Sequence, residues 1–211
     1  QFQGPRDIFN AYARDVGDLN QDGFTDFAVS HASWSEQAYR SGAVFIYAGS
    51  ETGLQPDPVR VFSGEFRDDF MGQRFLTDDF NEDGVPDIAI GVRLSDVDTS
   101  NGGAVYIYYG VSGEFFPNEP AQIRVGESGS DQFGRAMTSC DFNGDGHVDL
   151  AVGADQRNDP NVNVSDTGAV YIFLGTGDGL AYGAAQTIYG RVLNDQGEWW
   201  SKVDTDFGFD L

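Results

Sequence analysis

The sequence predicts an all-β protein that forms blades of a β-propeller, each blade being a sheet of four short antiparallel strands. Three observations predict this fold. A related segment recurs three times, with equivalent residues at positions 18, 79 and 141. The strongest candidate strands are apolar at nearly every position, and no stretch shows the spacing of an amphipathic helix. The 28 glycines among 211 residues supply the turns that many short strands require.

Within each repeat, a candidate first strand leads into a loop rich in aspartate, and the loop leads into a second strand. The first strands are predicted at 11–16, 72–77 and 134–139. The second strands, which are short apolar runs, are predicted at 27–29, 88–90 and 150–152. Because the same order of strand, loop and strand returns each time, we expect the three repeats to fold into the same kind of unit.

The third strand of each repeat begins with Gly-Ala-Val and carries the strongest apolar signal. These strands are predicted at 42–47, 103–108 and 168–173, and weaker fourth strands at 59–62, 123–125 and 187–189. A strand that is apolar at consecutive positions is covered on both faces. Sheets stacked face to face around an axis provide that cover, and this arrangement is a propeller.

The repeats divide the chain into three predicted blades, followed by a further segment. The blades extend approximately over 10–63, 71–126 and 133–190, and 191–211 is expected to hold a long inter-blade loop and the start of the next blade. Propellers have about four to eight blades. We therefore expect a partial propeller, completed by further blades from the same or another chain.

The charge of the chain excludes some classes of partner. Twelve basic residues stand against 34 acidic ones, which gives a formal net charge of −22. Nucleic acids and anionic membrane surfaces would be repelled. No apolar run approaches the ~20 residues that span a bilayer, so membrane insertion is not expected.

The aspartate-rich loops have the composition of calcium sites. Ca²⁺ takes six to eight oxygen ligands, and a tight loop can offer side chains at its first, third, fifth and ninth positions and a main-chain carbonyl at its seventh. We predict three Ca²⁺ sites on this pattern. Their ligands are Asp18, Asn20, Asp22, Phe24 and Asp26 in the first loop, Asp79, Asn81, Asp83, Val85 and Asp87 in the second, and Asp141, Asn143, Asp145, His147 and Asp149 in the third.

Two features of these loops distinguish them from the helical EF-hand. A glycine stands at the sixth position of each loop, where the chain turns sharply: Gly23, Gly84 and Gly146. The twelfth position, where an EF-hand has a bidentate glutamate, holds an apolar residue, and the flanking segments are predicted strands. Three such loops at nearly equal spacing indicate calcium far more strongly than a single Asx-turn would.

The third repeat has a recognisable order of motifs. Phe133-Gly134 precedes the acidic loop 141–149, and Leu150-Ala151-Val152-Gly153-Ala154 follows it. This order resembles FG-GAP repeats, as found in the N-terminal propellers of integrin α subunits and in many secreted or surface proteins of bacteria. The first repeat departs most from the pattern, with Asn10-Ala11 in place of Phe-Gly and Ser30-His31-Ala32 in place of Gly-Ala-Pro. These departures lie outside the predicted metal positions.

The resemblance implies a calcium-stabilised, integrin-like propeller for adhesion or ligand binding, located outside the cell or at its surface. In this family the cations brace the blade and take no part in catalysis. FG-GAP blades also accompany enzymes such as phospholipases and polysaccharide lyases. One alternative is therefore the propeller portion of a secreted hydrolase or lyase, and another is a structural spacer in a surface assembly. We expect no catalytic residues in this chain.

The resemblance also implies that ligands bind on the face opposite the calcium loops. Aromatic and basic residues of the predicted loops there suit a protein or glycan ligand. The candidates are Trp34, Tyr39, Arg40, Trp199, Trp200 and Lys202.

Overall fold

The computed structural model of the chain describes residues 11–161, 166–190, 192–193, 199–200 and 208. These residues form β-strands and no helix, and accordingly no helix in the described ranges could cross a membrane. The strands are β1 (Ala11–Gly17), β2 (Asp26–His31), β3 (Ala43–Tyr47), β4 (Arg60–Ser63), β5 (Met71–Asp78), β6 (Asp87–Val92), β7 (Ala104–Tyr108), β8 (Gln122–Val125), β9 (Ala136–Cys140), β10 (Asp149–Ala154), β11 (Ala169–Phe173), β12 (Gln186–Tyr189), β13 (Val192–Leu193) and β14 (Trp199–Trp200).

The first twelve strands make three sheets of four, and in each sheet the strands follow one another in chain order. Every neighbouring pair is antiparallel, with Ala28 opposite Ile46 in the first sheet and Ala89 opposite Ile107 in the second. The predicted fold class, all-β with four-stranded antiparallel sheets of the propeller type, is confirmed. The segment after β12 adds a short antiparallel pair, β13 with β14, where the sequence predicted a loop.

The hydrophobic core lies between the sheets. One cluster of buried residues joins the first sheet to the second, with Val44 and Ile46 packed near Ile88 and Ile90. A second cluster joins the second sheet to the third through residues such as Phe133. The sheets are therefore stacked face to face, as the apolar third strands require.

Burial along the second strands follows this stacking. All six residues of β6 and all six of β10 are buried, which is the pattern of a strand covered on both faces. In β2, buried and half-buried residues alternate, which is the pattern of a strand packed on one face.

Candidate metal loops and the opposite face

The three acidic loops lie at the same end of their sheets, since each connects the first strand of a sheet to the second. They occupy 18–25 between β1 and β2, 79–86 between β5 and β6, and 141–148 between β9 and β10. The connection from third to fourth strand returns to that end, because neighbouring strands are antiparallel. The connections from second to third strand, and from one sheet to the next, lie at the opposite end.

The aspartate at the ninth position of each loop is buried and holds two parts of its sheet together. Both carboxylate oxygens of Asp87 accept a backbone hydrogen bond, one from the Phe80 N–H at 2.8 Å and one from the Gly110 N–H at 2.8 Å. The bond to Gly110 ties the acidic loop to the turn after β7. Equivalent bonds run to Asp26 from Leu19 (2.8 Å) and Gly49 (2.9 Å), and to Asp149 from Phe142 (2.9 Å) and Gly175 (2.8 Å).

The glycine that donates to this aspartate is a site residue that the sequence analysis missed. A Cβ atom on Gly110 would lie 2.4 Å from the Pro86 carbonyl oxygen, so the two loops approach too closely for any other residue. A sequence signal for this contact exists. A glycine stands two residues after the end of β3, β7 and β11, at positions 49, 110 and 175.

Burial makes the ninth-position carboxyls of the first two loops, Asp26 and Asp87, hard to ionise when no cation is near. It raises the pKa of the Asp87 carboxyl to about 7, although the hydrogen bonds from Gly110 and Phe80 oppose the shift. The negative charges of Asp83 and Asp79 raise this pKa further. Burial likewise raises the pKa of Asp26. The loops therefore gather carboxylates whose mutual repulsion a positive charge would relieve.

The first and fifth positions shape each loop through backbone hydrogen bonds. In the second loop, Asp79 Oδ2 accepts from the Gly84 N–H at 2.9 Å, and Asp83 Oδ1 accepts from the Val85 N–H at 2.8 Å. The Asn81 amide donates to Asp83 Oδ2 at 3.0 Å. The first and third loops make the same contacts through Asp18, Asn20 and Asp22 and through Asp141, Asn143 and Asp145.

Neighbouring acidic loops also contact each other. The Gln21 amide donates to the Gly84 carbonyl of the second loop at 2.7 Å. One loop further on, Glu82 bonds to the ring of His147 through Nδ1, and this contact raises the pKa of His147. At the seventh position, where the carbonyls of Phe24, Val85 and His147 were predicted as ligands, the side chain of His147 therefore serves as a link between loops.

The donor set of the loops fits a hard divalent cation. Asp79 Oδ1 is buried and accepts no hydrogen bond, which leaves one carboxylate oxygen of the second loop without a partner. Carboxylate, amide and carbonyl oxygens are the ligands that Ca²⁺ takes. In the part of the chain that the structure describes, no three His, Cys, Asp or Glu side chains converge on one point as metal ligands. Each predicted set includes an asparagine and a main-chain oxygen besides its aspartates.

The opposite end of the first sheet presents two of the predicted ligand-binding residues and uses a third for packing. Trp34 is half-buried, and its ring packs edge-on against Phe45 at 5.2 Å and against His31 at 6.0 Å between centroids. Tyr39 is 50% exposed, and the neighbouring Arg40 is also exposed. The structure therefore separates Trp34 from the exposed pair, although all three belong to the loop between β2 and β3.

The remaining predicted ligand contacts follow the third sheet. Trp199 and Trp200 form β14 and pair with Leu193 and Val192 of β13. Lys202 lies outside the described residues.

Comparison with known proteins shows which family has the same repeats as this chain. A family model for the FG-GAP repeat matches residues 133–173, and one for an FG-GAP-like repeat matches residues 79–152. Human integrin alpha-6 is 31% identical over 164 residues, which cover 77% of this chain and 14% of the integrin. Integrin alpha-5 of Xenopus laevis is 28% identical over 211 residues, which cover 97% of this chain and 19% of the integrin.

A second class of relative shares the same region. Human phosphatidylinositol-glycan-specific phospholipase D is 29% identical over 152 residues, which cover 68% of this chain and 18% of the enzyme. The chain thus spans less than a fifth of the length of each of these three relatives. The similarity concerns the repeats and leaves most of each relative unmatched.

Proposed function

Because the chain carries FG-GAP repeats and is similar to integrin alpha subunits, we propose that it is a calcium-stabilised, non-catalytic portion of an extracellular or cell-surface propeller that binds a ligand. The observation that carries this proposal is the threefold recurrence of one loop. Three sheets each place an aspartate-rich loop at the same end, and in each a buried ninth-position aspartate ties that loop to the next turn.

In the proposed sites, each part of the loop has a separate task. The buried aspartates Asp26, Asp87 and Asp149 fix the base of the loop through backbone amides. The first-position carboxylate accepts the amide of the loop glycine and sets the sharp turn. The carboxylates and asparagines at the first, third, fifth and ninth positions, with the seventh carbonyl, would hold the cation. Bound Ca²⁺ would supply the positive charge that offsets repulsion among these carboxylates.

The ligand surface is proposed for the end opposite the acidic loops. The loops there differ between sheets, since the connection from second to third strand has eleven residues in the first two sheets and fourteen in the third. Varied loops on a rigid scaffold are where proteins usually place recognition. We assign a protein or glycan ligand to this surface, with Tyr39, Arg40, Trp199, Trp200 and Lys202 as contacts, and Trp34 as a packing residue of the loop that holds Tyr39 and Arg40.

The similarity to phosphatidylinositol-glycan-specific phospholipase D favours one other function, the propeller portion of a secreted hydrolase. The two functions differ in what the parent protein does. An integrin-like parent binds its ligand unchanged, whereas a hydrolase parent turns over a phosphodiester or glycan substrate. Product formation by the parent polypeptide, measured by mass spectrometry of the incubated ligand, decides between them.

Thermal unfolding tests the calcium proposal directly. A ligand at 100 times its Kd stabilises a protein by about 2.7 kcal/mol per site. For a chain of this size that corresponds to a rise in Tm of about 5–10 °C for a single site. We expect at least this rise when CaCl2 is added to EDTA-treated protein, and the same rise for the control variant Asp57→Ala, because Asp57 is exposed and lies outside the acidic loops. An unchanged Tm in excess calcium would contradict the proposal.

A further inference from the structure

Two guanidinium groups and three aromatic rings form a patch at the end of the first two sheets that lies opposite the acidic loops. We call Tyr39, Arg40, Phe66, Arg67 and Phe70 the arginine–aromatic patch. The guanidinium carbons of Arg40 and Arg67 lie 5.1 Å and 4.9 Å from the centre of the Tyr39 ring, and Arg40 lies 5.9 Å from that of Phe70. Tyr39 and Phe66 are 50% and 54% exposed. The patch thus combines positive charge with accessible apolar surface.

Backbone hydrogen bonds hold the two loops of the patch together. The Tyr39 carbonyl accepts the Asp68 N–H at 2.8 Å, and the Arg40 carbonyl accepts the Phe70 N–H at 3.1 Å. The Arg40 N–H donates to Ser35 Oγ at 2.9 Å. The loop between β2 and β3 is therefore joined to the connection between β4 and β5, and the patch is preorganised by the fold.

Within the described residues, the Arg40 guanidinium has no carboxylate partner. Its contacts are with the rings of Tyr39 and Phe70. Arg67 differs, since its Nε lies 3.1 Å from Asp68 Oδ2 in an exposed ion pair. An exposed arginine that forms no ion pair with any described residue is available to an anion from outside.

Arg40 adopts a left-handed backbone conformation, which is unfavourable for arginine. Its φ is 54°, and the equivalent positions in the second and third sheets are Asn101 at 52° and Asp166 at 55°. Asn and Asp adopt this left-handed region more readily than other residues that carry a Cβ. All three backbone amides donate to a polar side chain of their own loop, so the turn is the same in each sheet. Arg40 thus replaces the Asn or Asp of the other two sheets at a strained position, and such local strain marks candidate functional positions.

We propose that the arginine–aromatic patch binds an acidic peptide segment of a partner protein. This inference rests on the proposed ligand-binding function. Arg40 receives an aspartate or glutamate carboxylate through its planar pair of N–H groups. Tyr39 and Phe66 contact the apolar residues next to that carboxylate. A single carboxylate fits better than a polyanion does, because a chain with a net charge of −22 repels a highly sulfated polymer over its whole length.

The test uses the 211-residue chain in calcium and an array of hexapeptides, each with one Asp or Glu flanked by Phe or Leu. Each acidic peptide has an Asn or Gln counterpart. We expect acidic peptides to bind at least tenfold more tightly than their amide counterparts. Arg40→Asn should remove this difference and leave Tm unchanged or higher, since asparagine stands at the same position in the second sheet. Arg67→Ala, at a side chain that is 73% exposed, should weaken the same peptides without affecting folding.

Matched controls keep the outcomes separate. Arg14→Asn removes the same charge from an exposed position on β1, and should bind the peptides as the wild type does. Equal affinity of the wild type for acidic and amide peptides, or full affinity of Arg40→Asn for the acidic peptides, would overturn the inference. A heparin-derived hexasaccharide that binds in an Arg40-dependent manner, without peptide binding, would overturn the peptide assignment. The calcium-induced rise in Tm, recorded on the same samples, reports on the proposed function independently.

Discussion

Replacing Asp87 with alanine separates the structural role of this carboxylate from its proposed role in binding calcium. Asp87 is fully buried, and its two oxygens accept hydrogen bonds from the N–H groups of Phe80 and Gly110. The variant leaves both of these amides without a partner inside the protein. Asp83, four positions earlier, is exposed and offers a comparison within the same loop.

The cost follows from the two lost partners. A buried polar group left unsatisfied costs about 1–3 kcal/mol, so Asp87→Ala should lower the free energy of unfolding by about 2–6 kcal/mol. At 2–4 °C per kcal/mol for a chain of this size, Tm should fall by at least about 4 °C. This loss is expected in EDTA as well as in calcium. Working at pH 6, below the pKa of about 7 of this carboxyl, limits the opposing gain from removing a buried charge.

Calorimetry of wild type, Asp87→Ala and Asp83→Ala, each in EDTA and in excess calcium, makes the comparison. Asp83→Ala should lose about 0.5–1.5 kcal/mol relative to the wild type in EDTA, because it removes the hydrogen bond from the Val85 N–H to an exposed carboxylate. In calcium it should lose the stabilisation of one site. If Asp87→Ala and wild type unfold at the same temperature in EDTA, the carboxylate does not hold the loop to the turn after β7, and the reasoning fails.

Two further predictions concern blade packing and pH. A Cβ on Gly91 would lie 2.0 Å from the Gly134 carbonyl oxygen of the next sheet, so Gly91→Ala should lower Tm by several degrees. Gly183 has open space around it, so Gly183→Ala should leave Tm unchanged. Calorimetry of both variants checks this. Burial raises the pKa of Asp69 to about 6, so its contribution to stability is present near pH 4 and lost as pH rises through 6. The free energy of unfolding of Asp69→Asn should therefore match that of the wild type near pH 4 and exceed it by up to about 3 kcal/mol at pH 7.5 in EDTA, which calorimetry at the two pH values checks.

The strands and their stacking could be predicted from sequence because both follow from local patterns. The third strands are apolar at consecutive positions, and a strand of that kind needs cover on both faces. The positions of the acidic loops could also be predicted from sequence, since a fixed order of aspartates and glycine defines these loops. The bond from Gly110 to Asp87 spans 23 positions of sequence, so no single loop predicts it, and only the repeated glycine after each third strand hints at it.

The opposite end was harder to predict because its side chains face different environments in loops of similar composition. Trp34 and Tyr39 lie five residues apart in one loop, yet Trp34 packs on Phe45 while Tyr39 is exposed. Composition makes both aromatic residues candidate ligand contacts. Only the path of the loop, which turns at Arg40 with a positive φ, decides which ring faces outward.

The three sheets keep the same hydrogen bonds at their acidic ends, whereas the turn residue at their opposite ends differs. At the acidic end, the bonds to Asp26, Asp87 and Asp149 are the same in every sheet, and a change there would loosen a loop and a turn together. At the other end, the left-handed turn is kept while its residue changes from Arg40 to Asn101 to Asp166. Because hydrogen bonds within the loop hold the backbone there, the side chain at this position is free to specify a ligand. Binding specificity can therefore differ from blade to blade without disturbing the loops proposed to hold calcium.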